Sequence, residues 1–386
     1  MLRCSIHRRA HVAFVAALAS LALVTASAPV GAQTASTEKI KVMVIGDITS
    51  QSLGFTVPEI VASARAGLTS VPNVEVLSCD SKGDPAVGEE CGKKAVDAQV
   101  DAVILGFGQG MGDALEAAGI PVVGNPPNAT APNGFPTISS FALYAANGVA
   151  LGKSGCKKLG ILYLDGTDFL VDYVKAGAAS AGAKEVARAP IPANAPDLTP
   201  AVAKLTGAGA ECIALSVIPA QVVQAVTAVN QTGKKLQMAA VAAIMTEEVR
   251  DSLGDLANGI LIVDNQLNAE DPSRAIKKVT KQIRAVDPKA DITQVGLVSY
   301  IGGRLLAAAI PEVQGAVTPE SLTTALNGLR DTPVDGLIHP YSSVELANPS
   351  FKRFFNHYGI SYKIVKGKPK AQTDFFDLAE ILDAAS

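Results

Sequence analysis

Apolar residues along the chain occur in short unbroken runs, and each run is followed by a stretch in which they recur at helical spacing. In residues 101–112, Asp-Ala-Val-Ile-Leu breaks into alternating glycines, and a helical pattern then begins. A strand without polar alternation is buried on both faces, which is typical of a parallel sheet covered by helices. Ligands bind at the carboxyl ends of such strands. We therefore predict that residues 101–112 form the central strand of a parallel sheet, with a ligand-facing tip.

The same unit repeats along the chain. Further strands are predicted at 39–49, 73–79, 121–124, 159–165, 185–191, 212–218, 236–244, 260–266 and 360–365. Helices are predicted at 57–68, 85–100 (N-capped by Asp84), 112–118, 141–155, 169–181, 198–208, 221–231, 247–256, 273–286, 292–312 and 320–329. This alternation predicts an α/β fold of two Rossmann-like, doubly wound lobes. No low-complexity linker separates the two series, so we expect several chain crossings between the lobes.

The N-terminus predicts a secretory signal at residues 1–32. Arg3, Arg8 and Arg9 precede an apolar run at 12–24, and small residues at 30–32 suit a signal-peptidase site. The alternative is a membrane anchor, but the run is shorter than the roughly 20 residues that span a bilayer. No later segment could span one, so we expect no membrane insertion after cleavage.

Charge and cysteine content narrow the class of protein. Removing residues 1–32 lowers Lys+Arg from 33 to 30 against 36 Asp+Glu, a net charge of −6, which argues against a nucleic-acid partner. Cys4 leaves with the signal and is not placed for lipid attachment. Four cysteines remain in a chain sent to an oxidising compartment, and an even number there predicts two disulfides.

The cysteine positions also predict the pairing. In a doubly wound lobe the first and third strands are neighbours, so Cys156 and Cys212 lie at the same edge of adjacent strands. Cys79 ends a strand and Cys91 lies in the next helix, close enough for a local bridge across the turn. We predict the pairs Cys156–Cys212 and Cys79–Cys91.

The glycine-rich tip does not match a dinucleotide-binding fingerprint. That spacing would require glycine where Met111 or Asp113 stands. Two interpretations remain, which are close approach of the backbone to a small ligand and plain turn geometry. The sequence predicts no cofactor.

Catalytic and metal-binding patterns are also missing from the sequence. After the signal the chain contains only His339 and His357, and neither has ligand-spaced neighbours, so we predict no metal site. There is no G-x-S-x-G elbow, and we expect the cysteines to be oxidised. An extracytoplasmic enzyme on this fold would need a base and a nucleophile in one cleft. We predict no catalytic residues and no enzyme activity.

A family resemblance is carried by several segments in order. After the signal come Lys-Val-Met-Val-Ile at 41–45, Cys-Asp-Ser-Lys-Gly-Asp-Pro at 79–85 with Cys91, and Val-Ile-Leu-Gly at 103–106. Ala-Gly-Ile-Pro-Val-Val-Gly at 118–124, Asp-Leu-Thr-Pro-Ala-Val-Ala-Lys at 197–204 and Ser299-Tyr300 follow. Over residues 39–365 the chain resembles type I periplasmic solute-binding proteins, most of all those of branched-chain amino acid importers.

The resemblance implies a periplasmic, monomeric receptor whose partners are a small-molecule ligand and the permease subunits of an ABC importer. It implies two lobes joined by a three-segment hinge that close on the ligand. The crossings would fall near 141–156, 262–268 and 336–341. The first lobe would be 38–141 plus 267–335, and the second 142–266 plus 336–386.

The chain departs from amino-acid binders at the ligand positions that the resemblance implies. Those proteins hold the carboxylate with Ser and Thr after the third and fourth strands of the first lobe. Here Gly108, Gln109 and Gly110, and then residues 125–128, stand there. An acid after the fourth strand of the second lobe holds the ammonium, but residues 242–246 read Ala-Ala-Ile-Met-Thr. An unpaired buried ammonium would cost several kcal/mol, so a standard α-amino acid is disfavoured.

We predict instead a largely apolar cleft with a few amides that orient a hydrophobic or weakly polar organic solute. The predicted ligand-binding residues are Gln51, Phe55, Phe107, Gly108, Gln109, Asn125, Asn128, Phe169, Ile218, Pro219, Ile244 and Met245. Each apolar residue in this set could equally be core packing at a strand end. Two other functions stay open: a ligand-sensing module that reports to a membrane receptor, and a branched-chain amino acid binder with non-standard anchors.

Overall fold

The computed structural model describes residues 39–49, 56–108 and 110–384, so the predicted signal lies outside the described residues. The strands are β1 (Ile40–Gly46), β2 (Val74–Asp80), β3 (Ala102–Leu105), β4 (Val122–Gly124), β5 (Gly134–Pro136), β6 (Lys158–Leu164), β7 (Lys184–Ile191), β8 (Cys212–Ser216), β9 (Gln237–Val241), β10 (Leu261–Asp264), β11 (Tyr358–Val365), β12 (Lys368–Ala371) and β13 (Phe376–Asp377). The helices are α1 (Ile60–Gly67), α2 (Pro85–Asp97), α3 (Gly112–Ala117), α4 (Ser140–Lys153), α5 (Asp168–Ser180), α6 (Thr199–Gly207), α7 (Pro219–Gln231), α8 (Glu247–Leu253), α9 (Arg274–Val286), α10 (Gln294–Ala309), α11 (Pro319–Asn327) and α12 (Ala379–Asp383).

The first sheet is parallel throughout, in the order β2-β1-β3-β4-β5. All four residues of β3 are buried, and β3 is the central strand, as the apolar run predicted. Helices cover both faces. Val42 and Ile104 pack in one core with residues of α1, α9 and α10, while Met43 and Val103 pack on the other face with residues of α2 and α3.

The second sheet runs β12-β11-β10-β9-β8-β6-β7. Strands β6 to β10 are parallel, and the last two strands, β11 and β12, are antiparallel to their neighbours. Its two faces carry separate cores, one built with α4 and α5 and the other with α6, α7 and α8. The predicted architecture of two doubly wound α/β lobes is confirmed.

Both predicted disulfides form. Cys79 is bonded to Cys91, and Cys156 to Cys212, with Cα–Cα distances of 5.7 and 5.9 Å. The strand order behind the second pair is confirmed, because β6 lies beside β8 with Leu159 opposite Cys212. Asp84 also caps α2 as predicted, accepting hydrogen bonds from backbone N–H groups in its first turn.

The segments that join the two sheets meet in one buried hydrogen-bond network. The Asn356 side chain donates to the carbonyls of Thr137, at 2.6 Å, and Asn265, at 3.0 Å. The Asn265 side-chain oxygen accepts from the backbone of Ser139 at 2.9 Å. These residues come from the connections β5–α4, β10–α9 and α11–β11, so the network ties all three crossings together.

The structure shifts two crossings relative to the sequence prediction. Helix α4 packs on the second sheet, so the first crossing lies at 137–139, just before it. Tyr341 still belongs to the core of the first sheet, which places the third crossing further along, near Asn356. The residue limits given above for the two lobes stay a prediction. In the part of the chain that the structure describes, no helix is long and apolar enough to cross a membrane.

Candidate functional site

The carboxyl edge of the first sheet holds a buried polar pair beneath the glycine-rich tip. Asp47 follows β1, and its Oδ1 accepts hydrogen bonds from Ser81 Oγ at 2.5 Å and from the Gly83 backbone at 3.0 Å. A Cβ on Gly108 would lie 3.1 Å from Ser81 Oγ. The sequence interpretation missed this pair, although an acid directly after a buried strand could have signalled it.

The glycines of the tip serve the protein's own packing. A Cβ on Gly106 would lie 2.7 Å from the hydroxyl of Ser299 on α10. Gly110 has a φ of +93°, and its Cβ would lie 1.9 Å from the Pro85 carbonyl oxygen. Such contacts exclude any side chain, so turn geometry and close packing account for Gly106 and Gly110.

Asp80 fixes the start of the loop that follows β1. Its carboxylate accepts hydrogen bonds from the backbone of Ile48 at 2.9 Å, from the backbone of Lys82 at 3.0 Å and from the Thr49 hydroxyl. Burial raises the pKa of Asp80, but these hydrogen bonds outweigh it and hold the pKa below its usual value. Gln51 and Phe55 in this loop, and Gln109 in the tip, lie outside the described residues.

The two asparagines after β4 differ in placement. Asn125 is half-buried, and its backbone N–H donates to the Leu105 carbonyl at 2.9 Å. Asn128 is exposed, and its amide donates to Glu116 on α3 at 3.2 Å while its oxygen accepts from Thr130. The Asn128 side chain therefore joins its own loop to α3. Phe107, in the tip, is half-buried.

The carboxyl edge of the second sheet exposes apolar side chains. Phe169, in the first turn of α5, is 58% exposed, and Ile218, the N-cap of α7, is 36% exposed. Pro219, the first residue of α7, is half-buried beside Ile218. The structure thus places these three predicted residues at the strand ends where ligands bind in such folds.

Phe169 stands at the edge of an aromatic cluster that the sequence interpretation did not single out. Its ring centroid is 6.2 Å from that of Phe141, at the start of α4. Phe141 in turn stacks on Phe354 at 5.7 Å and meets Tyr173 and Phe351 at 5.0 and 5.1 Å. Only 5% of the chain is aromatic, so the gathering of five rings is a local feature, which no spacing along the sequence reveals.

Ile244 and Met245 lie deeper than the other predicted residues. Met245 has no exposed surface and packs in the core with α7 and α8. Ile244 is half-buried and packs against both cores of the second sheet. Core packing, the alternative stated for each apolar residue, describes Met245.

A second buried carboxylate lies where β10 leaves the second sheet. Asp264 accepts hydrogen bonds from the Asn265 backbone at 2.7 Å and from the side chain of Gln294 on α10. Burial nevertheless raises the pKa of Asp264 to about 7. Because α10 packs on the first sheet, the contact between Asp264 and Gln294 bridges the two sheets beside the crossing.

The two described histidines, His339 and His357, lie against one tyrosine at the third crossing. The ring of Tyr358 stacks on His339 at 3.6 Å and on His357 at 4.7 Å between centroids. His357 Nε2 is 3.5 Å from Asp377. No group of three or more His, Cys, Asp and Glu that could hold a metal ion occurs among residues 39–49, 56–108 and 110–384.

Comparisons with known proteins agree with this architecture. A family model described as "Periplasmic binding protein" matches residues 39–348. No curated protein matches the chain. Among solved structures, a leucine-binding protein from Thermotoga maritima is 14% identical, with a TM-score of 0.67, and the alignment covers 88% of this chain and 99% of that one.

Two further solved structures are similar at the same level. A fatty acid ABC transporter substrate-binding protein from Thermomonospora curvata is 18% identical, with a TM-score of 0.68 and coverage of 91% of this chain and 95% of that one. A solute-binding protein of an ABC transporter from R. palustris, in complex with 4-hydroxybenzoate, is 19% identical, with a TM-score of 0.67 and coverage of 88% and 97%. At these identities the likeness shows the fold.

Proposed function

The chain belongs to the periplasmic binding protein family, and on this basis we propose that it is an extracytoplasmic receptor for a small, largely apolar organic ligand. The ligand would bind between the two lobes and be delivered to the permease of an ABC importer. The family consists of binding proteins, so a non-enzymatic function fits the chain.

The observation that carries the proposal is the exposed apolar edge of the second sheet. Phe169 is the most exposed large hydrophobic residue described, and Ile218 is exposed at the neighbouring strand end. Single exposed apolar residues are common, but these two stand where ligands bind in doubly wound folds. The ring of Phe141 backs Phe169. An apolar wall of this kind suits a ligand with an aromatic or aliphatic body.

The polar groups at the carboxyl edges of the two sheets argue against a standard amino acid as the ligand. The loop after β9 contains no acid to hold an ammonium group, and Met245 in it is buried in the core. In the first lobe the hydroxyl of Ser81 is engaged by Asp47. The related proteins from T. curvata and R. palustris, by their descriptions, take a fatty acid and 4-hydroxybenzoate, which are largely apolar.

Calorimetric titration of the mature protein tests the ligand class. The panel should contain leucine, valine, benzoate, 4-hydroxybenzoate and a medium-chain fatty acid. We expect at least one of the last three to bind, and neither amino acid to bind at micromolar concentration. Tight binding of leucine or valine would overturn the proposal. Native mass spectrometry of protein purified from its own host would identify a ligand outside the panel.

Secretion and delivery are tested separately. Cell fractionation should find the processed chain in the periplasm, beginning near residue 33. Deleting its gene should abolish uptake of the identified ligand. If uptake stays normal while a response to the ligand is lost, the chain is a sensing module and not a transport receptor.

A further inference from the structure

We propose that the exposed basic face of α9 binds an anionic phospholipid surface. The basic face is defined as Arg274, Lys277, Lys278, Lys281 and Arg284. Helix α9 has 13 residues and contains no acidic one. Five positive charges within about four helical turns form a concentrated patch.

The helix is built to present these charges outward. Ile276, Val279 and Ile283, spaced by three and four residues, are buried in the core of the first sheet. All five basic residues are exposed. The apolar side of α9 is therefore buried in the core, and the basic side faces solvent.

The charges on α9 are largely free of partners. Within the part of the chain that the structure describes, Lys278 is the one member of the basic face in a salt bridge, at 2.6 Å from Asp335. Asp335 is shared with Arg304, at 3.0 Å, so one carboxylate serves two cations. Asp287, the first acid after the helix in sequence, forms no salt bridge with the basic face in the described chain, and its carboxylate accepts a hydrogen bond from the Lys289 backbone.

The patch stands out against the rest of the chain. Residues 33–386 carry 30 basic and 36 acidic residues, and without α9 they carry 25 and 36. In another lysine-rich segment, the β11–β12 hairpin, Lys368 pairs with Glu247 at 3.0 Å and with Glu270 at 2.9 Å. An anionic surface would thus attract the α9 side and repel the remainder, which orients the molecule.

The composition of the patch favours a lipid surface over an acidic protein. Protein interfaces need apolar or aromatic anchors at their centre and are depleted in lysine. The basic face contains three lysines, and Val286, the large apolar residue that α9 exposes, lies at its end. A diffuse anionic surface needs charge alone. The biological sense of this contact rests on the proposed function, because the permease of an importer lies in the membrane.

Vesicle co-sedimentation of the mature protein tests the proposal. We expect binding to vesicles of phosphatidylglycerol and phosphatidylcholine in equal parts, no binding to pure phosphatidylcholine, and release at about 1 M NaCl. A triple variant with Lys277→Gln, Lys281→Gln and Arg284→Gln should bind about 100-fold more weakly. Glutamine keeps the helix propensity, and circular dichroism verifies folding.

A matched variant controls for net charge. Lys94→Gln, Lys175→Gln and Lys204→Gln remove three exposed lysines from helices α2, α5 and α6, none of them in an ion pair of the described chain. The proposal would be overturned if both triple variants lost vesicle binding equally, if the α9 triple lost none, or if the wild type showed no preference for anionic vesicles. Binding of the basic face to purified permease but not to vesicles would assign it to an acidic protein instead.

Ligand titration in solution keeps the two proposals separable. The α9 triple should bind the calorimetric ligand as the wild type does, because the basic face lies on the side of the first sheet that faces away from α2 and α3. A wild-type protein that binds anionic vesicles but no small-molecule ligand would contradict the proposed function alone.

Discussion

The carboxyl edges of the two sheets are built from the same strand–helix unit but carry side chains of opposite polarity. In the described part of the first sheet's edge the polar side chains are satisfied from within, since Asp47 accepts a hydrogen bond from Ser81 and Asp80 accepts from the start of the loop after β1. In the second sheet Phe169 and Ile218 are exposed. The polar groups of the first edge thus bind one another, and the second edge exposes apolar surface. The fold provides the position, and under the proposed function the side chains of the second sheet would supply the apolar wall.

The largest expected effect concerns the buried carboxylate of the second sheet. Burial raises the pKa of Asp264 from 3.8 to about 7, so the folded state keeps a proton that the unfolded state releases. The free energy of unfolding should therefore fall as pH rises from about 4 to 7, by about 4 kcal/mol in total. Urea unfolding from pH 4 to 8 measures this fall.

Asp264→Asn is the matched variant, because it removes the titration and keeps the size. The free energy of unfolding of this variant should change less with pH than that of the wild type. Subtracting one profile from the other removes the contributions of the other titrating groups. Parallel profiles would show that Asp264 is ionised throughout this range, like a carboxylate held by good donors.

Each sheet also has one disulfide, and the two should contribute unequally. Cys156 and Cys212 are separated by 56 residues, and Cys79 and Cys91 by 12. Loop-closure entropy predicts that replacing Cys156 and Cys212 by alanine lowers the free energy of unfolding by about 4 kcal/mol. The same replacement of Cys79 and Cys91 should lower it by about 3 kcal/mol. Urea unfolding of the two double variants gives the difference. Equal losses would mean that the unfolded chain keeps structure around one bridge.

Most of the fold could be predicted from sequence because its signals are local. Buried runs such as Ala102–Leu105 and the helices between them show clear hydrophobic patterns. The pair Cys156–Cys212 follows from strand order, and the pair Cys79–Cys91 from closeness across a turn. Strand β5 was missed. It has three residues, Gly-Phe-Pro, and pairs only through its neighbour β4, so nothing in its own pattern predicts a strand.

For the candidate site, the sequence predicts which residues follow a strand but not which way their side chains point. Phe169, Ile218 and Met245 all follow strands of the second sheet, and sequence treats them alike. The structure exposes the first two and buries Met245, because the turn after β9 folds back onto the core. Side-chain direction at a strand end depends on tertiary packing, which a single sequence does not encode locally.

The polar edge of the first sheet should depend on Asp47 for stability. Asp47→Ala leaves the buried Ser81 hydroxyl without its acceptor and removes the acceptor of the Gly83 N–H, which we expect to cost about 3 kcal/mol. Ser81→Ala removes one donor and should cost about 1 kcal/mol. Thermal and urea unfolding measure both. If Asp47→Ala costs no more than Ser81→Ala, Asp47 does not hold the polar groups of this edge together.

The apolar edge should show the reverse behaviour, with little effect on stability and a clear effect on binding. Phe169 is 58% exposed, so Phe169→Ala should cost less than about 1 kcal/mol of stability. The same change should weaken the ligand found by calorimetry about tenfold, with Phe169→Leu in between. Phe351 belongs to the same aromatic cluster but is 4% exposed, and Phe351→Ala should instead cost about 3 kcal/mol or more of stability. If Phe169→Ala binds like the wild type, the exposed ring does not face the ligand, and the contrast between the two edges concerns folding alone.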